Sequence, residues 1–132
     1  MSDSTVVQAF LDGFRAGDIE TALSVLHDDL HVSEPAGLPT GGEYRGKAAF
    51  VGFLQHVASL YEVELRGAKL IDGGDVTVAV IDATWTGRET GRQLVTQFVE
   101  LYTVVDGLVT AINVFPKDTR ALYELVQVSA PA

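Results

Sequence analysis

A change of period at Tyr61 constrains this chain more than any other feature. Before it, apolar residues recur every three or four positions; after it, they alternate. Val6, Val7, Phe10, Leu11 and Phe14 predict a first helix over Ser4 to Arg15. Ala16-Gly17-Asp18 ends that helix and caps a second, whose stripe is Ile19, Ala22, Leu23 and Leu26 and which ends near His27. A short strand, His31 to Glu34, is stopped by Pro35. Gly41-Gly42 and Gly46 mark turns before a third helix, Lys47 to Tyr61, with Phe50, Phe53, Leu54 and Val57 on one side. Beyond the switch, strands are expected over Glu62 to Ile71, Val76 to Thr86, Leu94 to Val105 and Leu108 to Phe115. Gly73-Gly74-Asp75, Gly87 to Gly91 and Asp106-Gly107 connect them. A short helix around Asp118 to Val128 ends the chain. Helices first and an antiparallel meander second predict an α+β fold, with the helices packed on one face of a curved sheet.

No repeat or linker breaks the pattern, so residues 1–132 read as one domain of ordinary size. With 47% hydrophobic residues the chain can bury a core without staples. Eighteen acidic residues against nine basic ones give a net charge of -9. Such a surface repels phosphate backbones, which argues against a nucleic-acid partner. Cysteine is absent, which removes disulfides and thiolate chemistry. No apolar run approaches the ~20 residues of a membrane span. The opening MSDSTVVQAF lacks the basic start and small-residue cleavage site of a secretory leader. The expected location is therefore the cytoplasm, away from membranes.

The strand from Val76 carries Val76, Val78 and Val80 on one face and Ala79, Ile81, Ala83 and Trp85 on the other. Both faces are apolar, so both should be buried. A three-helix layer covers only one. A second copy of the chain is the simplest cover for the other, which predicts a homodimer.

The chemistry-bearing candidate is Glu34, a carboxylate at a strand end directly before Pro35. It shares a face with Val32, so an inward valine implies an inward glutamate. In an apolar pocket its pKa would rise and it could act as an acid or base. The competing readings are an exposed strand end, or a carboxylate accepting N–H bonds from the Gly41-Gly42 loop.

The order of motifs resembles the nuclear transport factor 2-like superfamily, in particular its SnoaL-like and ketosteroid isomerase-like branch. The matching pieces are Ala16-Gly17-Asp18, His27-Asp28-Asp29, Glu34-Pro35 with Leu38-Pro39, Gly42-Glu43-Tyr44-Arg45-Gly46, Val105-Asp106-Gly107 and Asp118. The resemblance covers nearly the whole chain. It implies a cone-shaped antiparallel sheet that, with three N-terminal helices, encloses one apolar pocket for a small organic ligand. Ketosteroid isomerases use an Asp base with an oxyanion hole of Tyr and a protonated Asp. By resemblance, Glu34 takes the place of that base, Glu100 that of the second acid, and Asp118 that of the aspartate of polyketide cyclases. Phe10, Phe14, Phe53, Leu54, Trp85, Phe98 and Tyr102 are then the pocket wall. Two positions depart from the pattern: Phe10 and Leu54 stand where those isomerases carry tyrosine, which argues against steroid isomerisation.

Each role has a plainer competitor. Glu100 shares its face with Thr96, Phe98, Tyr102 and Val104, but it could instead pair with Arg88 or Arg92. Asp118 could simply cap the last helix. Trp85 and Tyr102 could be ordinary core. His27, His31 and His56 are scattered opposite the apolar stripes and form no metal triad. The glycine pairs lack the strand–loop–helix context of a phosphate site, Asp28-Asp29 reads as a solvated turn, and no GxSxG element appears. The expected function is cofactor-free, metal-free acid–base catalysis of the isomerase or cyclase type. Hydrolysis or dehydration in the same pocket, a non-catalytic binding protein, and a protein-interaction module are the alternatives.

Overall fold

In the computed structural model, which describes residues 2–128, the period switch coincides with a backbone switch. Tyr61 ends α3 (Lys47–Leu60) and begins β3 (Tyr61–Asp72), with extended φ -133° and ψ 150°. Ahead of it, α1 (Asp3–Arg15) starts at Ser2, whose side chain accepts from the Thr5 N–H. It buries Val6, Val7, Phe10 and Leu11 against the sheet. Burial of such side chains contributes about 1.5–3 kcal/mol each. Asp18 caps α2 (Ile19–Ser24) by accepting from the Thr21 N–H at 3.2 Å.

Here the structure corrects the sequence reading. The second helix stops at Ser24, and a strand, β1 (Leu26–Glu34), starts five residues before the expected His31. Leu26 fits the helical stripe of α2 equally well, which is why the spacing misleads. The alternation within β1 is broken as well: Leu26, Leu30 and Val32 are buried, while the register shifts between Leu26 and His31. Asp28 and Asp29 are exposed strand residues in that irregular segment rather than a turn. A second strand, β2 (Gly42–Arg45), occupies what reads as turn sequence and pairs antiparallel with β1. Gly46, at φ +87°, then turns the chain into α3, a conformation that favours glycine.

The remaining strands are β4 (Thr77–Gly87), β5 (Gln93–Val105) and β6 (Leu108–Pro116), followed by α4 (Thr119–Val126). The six strands form one sheet in the order β2-β1-β6-β5-β4-β3. The sheet is mixed rather than wholly antiparallel, because β1 runs parallel to β6. Irregular register between Leu65 and Gly67 and between Thr103 and Val104 is the kind of feature that bends and twists a sheet. One face carries Val32, Ile112, Tyr102, Ala79 and Ile81, all at 2% exposure or less, under the helices. The other keeps Val78, Val80 and Val99 only half-buried. The short α4 lies against β4 and β5, where Leu122 and Leu125 pack beside Tyr61. The Tyr61 hydroxyl donates to the Leu122 carbonyl at 2.6 Å and ties that helix down. No helix among the described residues is long and apolar enough to cross a membrane.

Candidate functional site

The sheet register fixes the two carboxyl groups. Val32 of β1 pairs with Ile112 of β6, and Ile112 pairs with Tyr102 of β5. Two residues further on, Val114 pairs with Glu100. Glu34, two beyond Val32, extends the same face, so Glu34, Val114 and Glu100 form one row across three strands. With strands about 4.8 Å apart, the two acids start from backbones about 10 Å apart. The parallel β1–β6 register aligns them this way.

Both acids line a cavity of about 220 Å³ between the helices and the sheet. Phe10, Phe14, Phe53, Leu54, Trp85 and Phe98 line it too. Phe50, Val63, Leu65 and Ile81, which the sequence reading did not place there, complete much of the wall. The volume falls below the ~300–1,000 Å³ of sites for drug-sized ligands, which favours a compact occupant. Phe10 packs edge-on against Phe14 and Tyr102, with ring centroids 4.8 and 5.8 Å away.

Burial raises the Glu34 carboxyl to about 8, and the neighbouring charge of Glu100 adds to the effect. Burial also raises Glu100, to about 7, against the opposing effect of a hydrogen bond from Tyr102. That bond, Tyr102 hydroxyl to Glu100 Oε1, is 2.5 Å long, and Tyr102 is fully buried. Tyr102 is a correction: expected as pocket wall, it does not line the cavity but is core packed against Phe10, where it favours the charged form of Glu100 and its own ionisation is pushed well above the usual value by burial. Its place two residues from Glu100 on one strand face is the sequence signal that announces it. The Tyr102 hydrogen bond favours the charged form of Glu100, and no such donor meets Glu34 among the described residues, so Glu34 is the readier of the two to hold a proton.

The plainer readings fare differently from residue to residue. Glu100 is not paired with Arg88, which bonds Glu62 at 3.2 Å, nor with Arg92, which donates to the carbonyls of Glu124 and Gln127. Among the described residues, the Gly41-Gly42 loop gives Glu34 no side-chain hydrogen bond; Tyr44 instead donates to the Thr40 carbonyl at 2.7 Å. Gly41 is sterically required there, since a Cβ would stand 2.0 Å from the Pro35 carbonyl oxygen. Asp118 is a correction: it caps α4, accepting from the Ala121 N–H at 2.9 Å, and lines an open surface groove with Arg66 and Lys117 rather than the cavity. His31 meets Glu43 at 3.1 Å, His27 accepts from the Asp29 N–H, and His56 is exposed.

One polar atom in the wall has no partner. The Trp85 Nε1 is buried and makes no hydrogen bond among the described residues. Such an unpaired donor costs about 1–3 kcal/mol. Sequence reasoning treats Trp85 as wall or core, because nothing in the alternation shows which way an indole N–H points.

Comparison with known proteins gives a consistent picture. The SnoaL-like domain family matches residues 7–112. No curated protein matches the chain. Among solved structures, an NTF2-like protein of unknown function from Burkholderia pseudomallei superposes with a TM-score of 0.88 at 22% identity, covering 97% of this chain and all, 100%, of that one. An NTF2-like protein from Burkholderia xenovorans gives 0.83 at 26% identity over 94% and 95% of the two chains. TerC, co-crystallised with polyporic acid, gives 0.84 at 30% identity over 94% and 97%.

Proposed function

Because the chain belongs to the SnoaL-like family, we propose that it binds a small, mainly apolar ring compound in this cavity and performs cofactor-free acid–base chemistry on it. The observation that carries this reading is the Glu34–Glu100 pair, two carboxyl groups titrating near neutrality in one apolar enclosure. The TerC complex with polyporic acid supports a small organic ligand in this fold.

The chemistry follows from which acid holds the proton. Glu100, as carboxylate, removes a proton from a carbon next to a carbonyl, and Glu34, as acid, hydrogen-bonds the carbonyl oxygen while the enolate forms. In a β,γ-unsaturated ketone, returning that proton from Glu100 to the γ-carbon moves the double bond into conjugation; in a compound with a second carbonyl, attack of the enolate carbon on it closes a ring and the resulting alkoxide takes the proton that Glu100 holds. This division reverses the sequence expectation, which gives Glu34 the base's part and Glu100 that of its polar counterpart. Non-catalytic binding is the second reading, favoured by Phe10, which supplies no hydroxyl to the cavity. The same reading takes the protein as cytoplasmic and homodimeric, with the half-buried outer valines as the contact.

Hydrogen–deuterium exchange of 2-tetralone, a bicyclic ketone with acidic α-hydrogens, tests the proposal without knowledge of the substrate. The protein should accelerate exchange. Glu100→Gln should lower the rate about 100-fold or more, and Glu34→Gln less, because an amide still donates. Exchange no faster than buffer, with the ketone bound, would leave non-catalytic binding as the function.

A further inference from the structure

Tyr102 bonds an acid of the cavity without lining the cavity itself. It lies two residues from Glu100 on the same face of β5, at 0% exposure. Its strand neighbours Thr77 and Ile112 are each at 2% exposure, and the Phe10 ring packs edge-on against it. The core therefore holds the ring, and among the described residues Glu100 Oε1 is the acceptor of its hydroxyl proton. A length of 2.5 Å falls in the range of an O–H donating to an ionised carboxylate, a bond roughly twice as strong as a neutral one. Glu100 lines the cavity while its Oε1 is held by a residue that does not, which leaves Oε2 for a bound ligand. Glu34 is the other titratable group of the cavity. Among the described residues, α1, α3, β3, β4, β6 and α4 turn only non-titrating side chains toward it, so no third charge blurs the difference between the two acids.

We propose that Tyr102 is the positioning residue of the acid pair: by holding Oε1 it makes Glu100 the base and Oε2 the oxygen that takes the substrate proton. This deepens the acid–base reading above and rests on it. In the step, an electron pair of Oε2 forms the new O–H bond as the C–H bond of the α-carbon breaks. The electrons of that bond become the enolate, whose oxygen Glu34 hydrogen-bonds. Tyr102 keeps its own proton throughout, because Oε1 accepts from it whether Glu100 is ionised or neutral. The bond is stronger to the ionised form, so it decides which acid is charged and fixes the carboxylate that presents Oε2. Without the hydroxyl, nothing among the described residues favours ionisation of Glu100 over Glu34, and the division of roles is lost.

Glu34→Gln leaves one acid in the cavity, so carbon-detected NMR can follow the Glu100 carboxyl by itself with no ligand present. Adding Tyr102→Phe, which removes one oxygen and keeps the ring, should raise that midpoint by about one pH unit. Labelling the Glu34→Gln protein with 3-fluorotyrosine, a more acidic phenol and a stronger donor, should lower it. That second probe decides the matter if Tyr102→Phe does not fold. In 2-tetralone exchange, Tyr102→Phe alone should slow the reaction about threefold to tenfold at pH 6, with the loss shrinking toward pH 8 as Glu100 ionises. A loss by the same factor at every pH would make Tyr102 a packing residue only and overturn the proposal. So would a Glu100 midpoint that neither change moves. If the midpoint moves but the wild type accelerates no exchange, the acid–base reading falls and takes the positioning role with it, while the hydrogen bond stands.

Discussion

The two faces of this sheet are made from the same strands and nearly the same residues, yet they differ in every physical respect. On β4, Ala79, Ile81 and Ala83 are at 0–1% exposure under the helices, while Val78 and Val80, one residue away, are only half-covered. On β5, the inner face sets Glu100 and Tyr102 among aromatics; the outer face sets Val95, 67% exposed, and Leu101 where no helix reaches. Polar groups on the inner face are few and coupled to one another; apolar groups on the outer face are many and only partly covered. Alternation in a strand thus delivers two surfaces, and it is the helices that decide which becomes a site.

The largest effect should come from emptying the inner face. Ile112→Ala, at 2% exposure in the row next to the acids, should destabilise the protein by about 2–5 kcal/mol in urea unfolding. A loss below about 1 kcal/mol would mean that this face is not the tightly packed one.

The next effect is in pH. Glu34 and Glu100 bind protons more tightly folded, at about 8 and 7, than in the unfolded chain, near 4.5. Between those limits the folded state holds more protons than the unfolded one, so stability falls as pH rises. Their contribution is fully present below about pH 4.5 and is lost by about pH 8, at up to about 1.4 kcal/mol per unit for each group. Unfolding curves from pH 5 to 8 should show this decline, and the Glu34→Gln, Glu100→Gln double variant should flatten it. A double variant with the wild-type slope would place the titration elsewhere.

The smallest effect on the fold, and the sharpest contrast, belongs to the outer face. Phe115→Asp changes a residue already 50% exposed and should leave the folded chain intact, within about 0.5 kcal/mol. In sedimentation velocity the wild type should run as a dimer and the variant as a monomer. A monomeric wild type would mean that the outer valines need no cover.

The comparison also shows what the sequence could and could not carry. Helices and strands with clean periods, such as α1 and β3 to β6, are legible because one period fits each. The failures sit where two patterns share a residue: Leu26 serves α2's stripe and β1's buried face, and four residues between glycines hide β2. The inward side of Glu34 was readable from Val32, a local argument. Its common row with Glu100 was not, because it depends on β1 pairing in parallel with a strand some eighty residues later. Asp118 suits two roles in the sequence, with the helix cap the favoured one, and the structure has it capping α4. The Tyr102 hydroxyl and the Trp85 N–H depend on side-chain direction, which alternation leaves open beyond the choice of face.

The central claim is that two carboxyl groups share an apolar cavity and titrate near neutral pH. Carbon-detected NMR of glutamate side-chain carboxyls across pH 3 to 10, with Glu34→Gln and Glu100→Gln for assignment, measures this directly. Two resonances should titrate between about pH 6 and 9, and removing either acid should lower the midpoint of the other. All glutamates titrating below about pH 5.5 would contradict the account.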